Sequence, residues 1–188
     1  MKVQVGISNR HIHLTKEDYI KLCGNDNIEV KNNLNQPGMF ASTTLLTIKT
    51  EKYEFNNVRV IGPFRDYTQV EISKTDAYKL GINPPIRTSG DIAGSSPITI
   101  VGPKGSLDLK EGCIIADRHI HLTPDMKKFY NLEGKDKVKV LIGGEKGGVI
   151  FNVDLKVSDE AYFELHLDTD DANAFMLKQG DIVDILEN

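Results

Sequence analysis

Arg10-His11-Ile12-His13-Leu14-Thr15 recurs letter for letter as Arg118-His119-Ile120-His121-Leu122-Thr123. The two copies hold four of the chain's five histidines. Composition alone predicts roughly 0.13 His-x-His pairs in such a chain, so two identical ones mark an internal duplication. On a β-strand residues i and i+2 face the same side, ~6.5–7 Å apart. Both imidazoles of a pair can therefore converge on one metal ion through Zn–N bonds of ~2.0–2.1 Å. One isolated pair would equally suit exposed strand positions or hydrogen-bonded core histidines; the exact repetition favours the metal.

The segments around the pairs repeat as well. Val3, Val5 and Ile7 alternate with polar residues and lead into the first pair along a strand. Thr15 then reads as a helix N-cap, with Glu17 and Asp18 in the first turn and Gly24 as terminator. In the second copy Ile114 and Ile115 lead in, Thr123 caps, Pro124 takes the first helical position and Gly134 follows. Further on, Tyr67–Ala77 lies against Tyr162–Ala172, anchored by Tyr67/Tyr162, Asp76/Asp171 and Ala77/Ala172. In that frame Glu71 stands opposite His166, the fifth histidine. Each repeat thus offers a His-x-His pair plus a third donor: His11, His13 and Glu71, then His119, His121 and His166. Three protein ligands with one position open is the pattern of catalytic zinc, and carboxylate and imidazole are both competent donors.

Between these anchors Ala41–Lys49, Glu54–Ile61, Ile98–Val101, Lys137–Ile142, Val149–Val157 and Asp181–Leu186 read as strands. Gly143–Gly148 reads as a wide hairpin turn rather than a phosphate loop, because no Gly-Lys-Ser/Thr ending or helix follows. The Pro- and Gly-rich stretch Asn83–Pro97 reads as the connection between repeats. The expected fold is α+β but mostly β: two small β-barrel domains related by internal duplication and capped by short helices. The first repeat is placed at 1–88, a linker at 89–97 and the second repeat at 98–188, with the barrels facing each other across a pseudo-twofold axis.

A net charge of −4 and a pI near 5.7 argue against non-specific binding to nucleic acid or anionic membranes, so an anionic substrate needs a local basic pocket. No apolar run approaches the ~18 residues of a membrane span, and the N-terminal strand leaves no room for a signal peptide. Two isolated cysteines, Cys23 and Cys113, read as reduced thiols in the cytoplasm. Arg65, six residues before Glu71, suits a bidentate clamp for phosphate or carboxylate, but spacing leaves a surface ion pair with Asp66 equally open. Arg10 and Arg118 precede the His pairs and would point away from a site the histidines face, which suits supporting or ion-pair roles.

Five motifs in order carry a family resemblance: Ser8–Leu14, Gly62–Arg65 followed by Gln69-Val70-Glu71, Pro84–Gly90, Ala116–Pro124 and Glu164–Ala174. They resemble the phosphate propanoyltransferases, the PduL-type phosphotransacylases associated with bacterial propanediol utilisation, over nearly the whole chain. The resemblance implies two β-barrels with a dinuclear zinc site between them, and exchange of a short acyl group, propanoyl or acetyl, between coenzyme A and inorganic phosphate. It also allows the N-terminal strand to be exchanged between the barrels, in which case the linear repeat boundaries are not domain boundaries. It implies that His11, His13 and Glu71 hold one zinc ion and His119, His121 and His166 the other, two per chain. It gives Arg65 the catalytic, phosphate-binding role and places coenzyme A near Gly6, Ile7, Ser8, Arg59, Ser89 and Asn173. The partners implied are acyl-CoA and inorganic phosphate, with no nucleic acid and no membrane; a homodimer is compatible with the reading. Members housed in microcompartments carry an N-terminal extension; the first strand here begins at residue 2 or 3, which favours a cytoplasmic location. The competing readings are a dinuclear zinc hydrolase of an amide or phosphoester and a non-catalytic zinc clamp.

Overall fold

Val3 and Val5, Val138 and Val140, and Val183 and Ile185 are buried, while the residues between them are more exposed. That period of two is the signature of strands covered on one face. The structure, a computed structural model, describes residues 1–186. From the N-terminus come β1 (Lys2–Ser8), β2 (His11–His13), α1 (Lys16–Cys23), β3 (Val30–Asn33), β4 (Phe40–Lys49), β5 (Glu54–Gly62) and β6 (Gln69–Glu71). α2 (Lys74–Leu80), β7 (Ile86–Arg87), β8 (Ser96–Val101) and β9 (Ser106–Ala116) follow. The remainder is β10 (His119–Leu122), α3 (Pro124–Phe129), β11 (Lys137–Ile142), β12 (Gly148–Val157), β13 (Glu164–Asp168), α4 (Thr169–Ala174) and β14 (Ile182–Leu186).

The chain forms two compact units, Asn9–Ala116 and Met1–Ser8 joined by the chain from Asp117 on. In the first unit β4, β5, β2, β6, β9 and β8 close into a ring, with β3 added beside β4 and β7 beside β9. In the second unit the ring is β1-β13-β10-β12-β11-β14. The rings match strand for strand, including direction. Each His-x-His strand runs antiparallel to the strand with the third donor and parallel to β5 or β12. The mostly β barrel architecture expected from the duplication is the one observed.

The match also shows how the chain is apportioned. β1 precedes the first His pair but belongs to the ring containing the second, where it takes the position that β9 holds in the first ring. The units divide after Ser8 and after Ala116, and residues 89–97 run inside the first unit toward and into β8, which pairs with β4 and β9. Ile86–Arg87, within the Pro- and Gly-rich stretch, forms a two-residue parallel strand on β9, a pairing that local composition does not announce. β3 is exposed along its whole length, so it has no apolar alternation to reveal it.

Each ring encloses its own core. Ile12, Leu14, Leu22, Ile48, Val60 and Ile100 are fully buried in the first unit, and Val5, Ile120, Leu122, Val140, Val153 and Leu165 in the second. Each such side chain contributes about 1.5–3 kcal/mol of apolar burial. The helices are capped as their sequences suggest: Thr15 accepts from Asp18 N, Thr123 from Met126 N, Ser73 from Asp76 N and Asp168 from Asp171 N. Gly24 ends α1 at φ 82°, a left-handed conformation that glycine adopts without steric cost. Among the described residues no helix is long and apolar enough to cross a membrane.

The arginines before the His pairs tie each pair to the helix after the third donor. Arg10 forks onto Asp76 with bonds of 2.9 and 2.7 Å and stacks 4.3 Å from the centre of the Phe55 ring. Arg118 lies 3.1 Å from Asp171, the aligned aspartate. The Asp76 carboxylate is 4% exposed and that of Asp171 26% exposed, so their loss of partner should differ in cost. Arg10→Ala strands a buried carboxylate and should destabilise the chain by about 3 kcal/mol. Arg118→Ala, in a wetter setting, should cost about 1 kcal/mol. Urea unfolding monitored by circular dichroism compares the two; equal losses would remove the distinction between them.

Candidate metal centres

Antiparallel pairing of β2 with β6 sets His11 opposite Glu71 and His13 opposite Gln69. The same pairing of β10 with β13 sets His119 opposite His166 and His121 opposite Glu164. The result is two clusters, His11–His13–Glu71 and His119–His121–His166, in which one donor atom from each residue lies within 4.8 Å of the others. Each cluster lies wholly within one unit.

The hydrogen bonds fix what those atoms present. His11 Nδ1 lies 2.8 Å from the carbonyl of Asn9, and His13 Nδ1 3.2 Å from that of Ile61. A carbonyl only accepts, so Nδ1 carries the proton and Nε2 of the neutral ring presents a lone pair. Both Nε2 atoms face the Glu71 carboxylate, at 3.4 Å for His11 and 3.8 Å for His13. In the second cluster His119 Nδ1 is held 2.8 Å from the Asp117 carbonyl, and its Nε2 lies 3.1 Å from His121 Nε2. Corners of a tetrahedron with 2.0–2.1 Å bonds are about 3.3 Å apart, so these donors are spaced as zinc ligands are. Lone pairs and a carboxylate brought this close also repel one another unless a cation lies among them. The donor set and its spacing fit a zinc ion at each cluster.

Burial keeps the central imidazoles neutral. His13 is pushed down to about 3, chiefly by burial and then by His11, with Arg65 adding to the effect against the opposing pull of Glu71. His121 is pushed down to about 2 by burial, His119, His166 and Lys156. Both rings therefore offer nitrogen lone pairs at neutral pH without first losing a proton.

The other expected residues fall as follows. Arg65 donates to the Tyr67 hydroxyl at 2.7 Å and its other amino group lies 3.6 Å from Met39 Sδ; the neighbouring Asp66 is exposed. Gly6, Ile7 and Ser8 run along β1 beside β13, with Gly6 in register with His166, and Asn173 lies in α4, which packs on β1. Arg59 is in register with His11 and donates to the Ser42 carbonyl at 2.6 Å. Ser89 accepts from Gln69 Nε2 at 2.9 Å. Arg59 and Ser89 belong to the first unit, Gly6–Ser8 and Asn173 to the second.

Two residues that sequence reading passed over stand directly behind the donors. Gln69 is fully buried and donates to Glu71 Oε1 at 2.7 Å; Glu164 is 3% exposed with Oε2 2.8 Å from His166 Nε2. The alignment of repeats already paired them, each two residues before the third donor. Tyr67 and Tyr162 were visible as alignment anchors, yet Tyr67 accepts from Arg65 while Tyr162 donates to Gln4 Oε1 at 2.9 Å.

Residues 4–178 match the phosphate propanoyltransferase family. The phosphate propanoyltransferase of Thermotoga maritima is 45% identical over 185 residues, covering 97% of this chain and 88% of its own length. That of Rhodopseudomonas palustris is 43% identical over 98% of this chain and 82% of its own length. That of Citrobacter freundii is 45% identical over 92% of this chain and 82% of its own length. Both donor clusters and the arginines that brace them lie inside the matched span, and the chain belongs to the phosphate propanoyltransferase family.

Proposed function

We propose that the chain is a phosphotransacylase that moves a short acyl group, propanoyl or acetyl, reversibly between coenzyme A and inorganic phosphate. Family membership supports the reaction class, and the observation that carries the site is the pair of donor clusters, two imidazoles and a carboxylate converging in one and three imidazoles in the other. His11, His13 and Glu71 would hold one zinc ion and His119, His121 and His166 a second. Zinc bound there supplies Lewis-acid polarisation of the thioester carbonyl and charge stabilisation for the departing thiolate.

The chain's own residues bind and orient. Phosphate is anionic at pH 7 and needs positioning more than deprotonation. Arg65 would fork onto two of its oxygens and hold a third against the thioester carbonyl carbon, turning an encounter into a near-unimolecular step. The phosphate oxygen forms the new bond to carbon, the carbon–sulfur bond breaks, and the coenzyme leaves as thiolate. Tyr67 and Met39 keep the guanidinium in place without neutralising it. Coenzyme contacts are assigned to Gly6, Ile7, Ser8, Arg59, Ser89 and Asn173. Transfer would be direct: burial pushes both thiols up, that of Cys113 to about 12, and neither cysteine belongs to a donor cluster, which disfavours an acyl-carrying thiolate.

Release of free thiol from propanoyl-CoA or acetyl-CoA should require inorganic phosphate and yield acyl phosphate. Thiol release at the same rate without phosphate would replace this reading with a hydrolase. Elemental analysis should find two zinc ions per chain, with His166→Ala and His11→Ala each retaining one. Chelation should abolish activity and leave the far-ultraviolet circular dichroism intact, because apolar cores build the two rings. Unfolding by chelator alone would make the metal structural.

Arg65→Lys keeps the charge and loses the fork. Charge-assisted hydrogen bonds contribute ~1.5–3 kcal/mol, so the KM for phosphate should rise roughly 10- to 150-fold. The KM for acyl-CoA should change much less. Steady-state kinetics with each substrate varied in turn reads this, and an unchanged phosphate dependence would remove Arg65 from the phosphate site.

A further inference from the structure

The two donor clusters differ in one ligand, Glu71 against His166, and the residue two positions earlier on the same strand differs with it, Gln69 against Glu164. Residues i and i+2 of a strand share a face. Both pairs are in contact, Gln69 Nε2 donating to Glu71 Oε1 at 2.7 Å and Glu164 Oε2 lying 2.8 Å from His166 Nε2. The partner chemistry follows the ligand chemistry. A carboxylate that binds a cation is oriented by a neutral donor, which an amide supplies. An imidazole that offers one nitrogen to a cation needs a proton on the other, and a carboxylate accepts that hydrogen bond. Glu164 is not itself among the converging donors of the second cluster.

We propose that Glu164 is a positioning residue that holds His166 in the Nε2–H tautomer, so that Nδ1 carries the lone pair turned to the metal. The assignment rests on the metal reading given above and adds the atom through which His166 acts. It makes His166 the reverse of His11, His13 and His119, whose Nδ1 atoms face backbone carbonyls and whose Nε2 atoms are the donors. It also equalises charge. Glu71 supplies one buried carboxylate to the first cluster as a ligand, and Glu164 supplies one to the second from behind a ligand. Packing leaves room for this pair at the expense of one position. A Cβ on Gly6, across the sheet from His166, would come within 2.7 Å of Glu164 Cδ and 3.0 Å of His166 Cδ2.

Long-range nitrogen–proton correlation spectra of the metal-free full chain at neutral pH report imidazole tautomers directly, with His166 assigned by the signal lost in His166→Ala. The wild-type chain should show His166 protonated at Nε2 and bare at Nδ1. In a His11→Ala background, which isolates the second cluster, chelator competition should show zinc affinity falling about 10- to 100-fold in Glu164→Ala. Glu164→Gln keeps an acceptor oxygen and should restore both the tautomer and most of the affinity. His166 protonated at Nδ1 in the wild-type chain, or unchanged zinc affinity in Glu164→Ala, would overturn the assignment. Failure of the wild-type chain to bind zinc would instead overturn the metal reading, which the metal-free spectra do not depend on.

Discussion

Antiparallel register between a short His-x-His strand and the strand carrying a third donor is the constraint on which both clusters depend. Side chains alternate faces along a strand, so a slip of one residue would send the donors to the wrong side of the sheet. The register is pinned from both faces. Inside the rings Ile12 opposes Val70 and Ile120 opposes Leu165, all four fully buried. Outside them Arg10 grips Asp76 and Arg118 meets Asp171, tying the residue before each pair to the helix after the third donor. A slipped register would cost the apolar burial and the ion pair together.

With the donors fixed, their electrostatics follow from burial. Imidazoles removed from water and crowded together resist protonation, so His13 and His121 stay neutral and present lone pairs. Each cluster sits with one buried carboxylate, Glu71 or Glu164. A divalent cation answers that arrangement more completely than protons, because it satisfies the carboxylate and the imidazoles at once.

The duplication preserves the donors and their clamps but not the surroundings. In the frame that aligns Tyr67 with Tyr162, Arg65 stands opposite Glu160, and Arg59 pairs beside His11 where Asp154 pairs beside His119. The tyrosines diverge too, one accepting from Arg65 and the other donating to Gln4. Arg59 and Arg65 thus lie near the first cluster, while the second has Asp154 in register with His119 and Lys156 in register with His121.

The sequence by itself determined the repeat, the identity of the six converging side chains, the capped helices and the mostly β character. All of these are local patterns or exact repetition, and His-x-His on a strand converges without help from distant residues. The aspartates that anchored the alignment, Asp76 and Asp171, proved to be the partners of Arg10 and Arg118, so the repeat signal also carried the clamps. The family resemblance allowed the N-terminal strand to cross between barrels, but only the tertiary structure decided that β1 closes the ring of the second His pair while β9 closes that of the first, because pairing between distant segments leaves no local periodicity. It gave Arg65 a bond to the Tyr67 hydroxyl, a partner that spacing does not name. It also brought Gln69 and Glu164 to attention: polar strand residues look solvated in a sequence, and only burial against a donor distinguishes them.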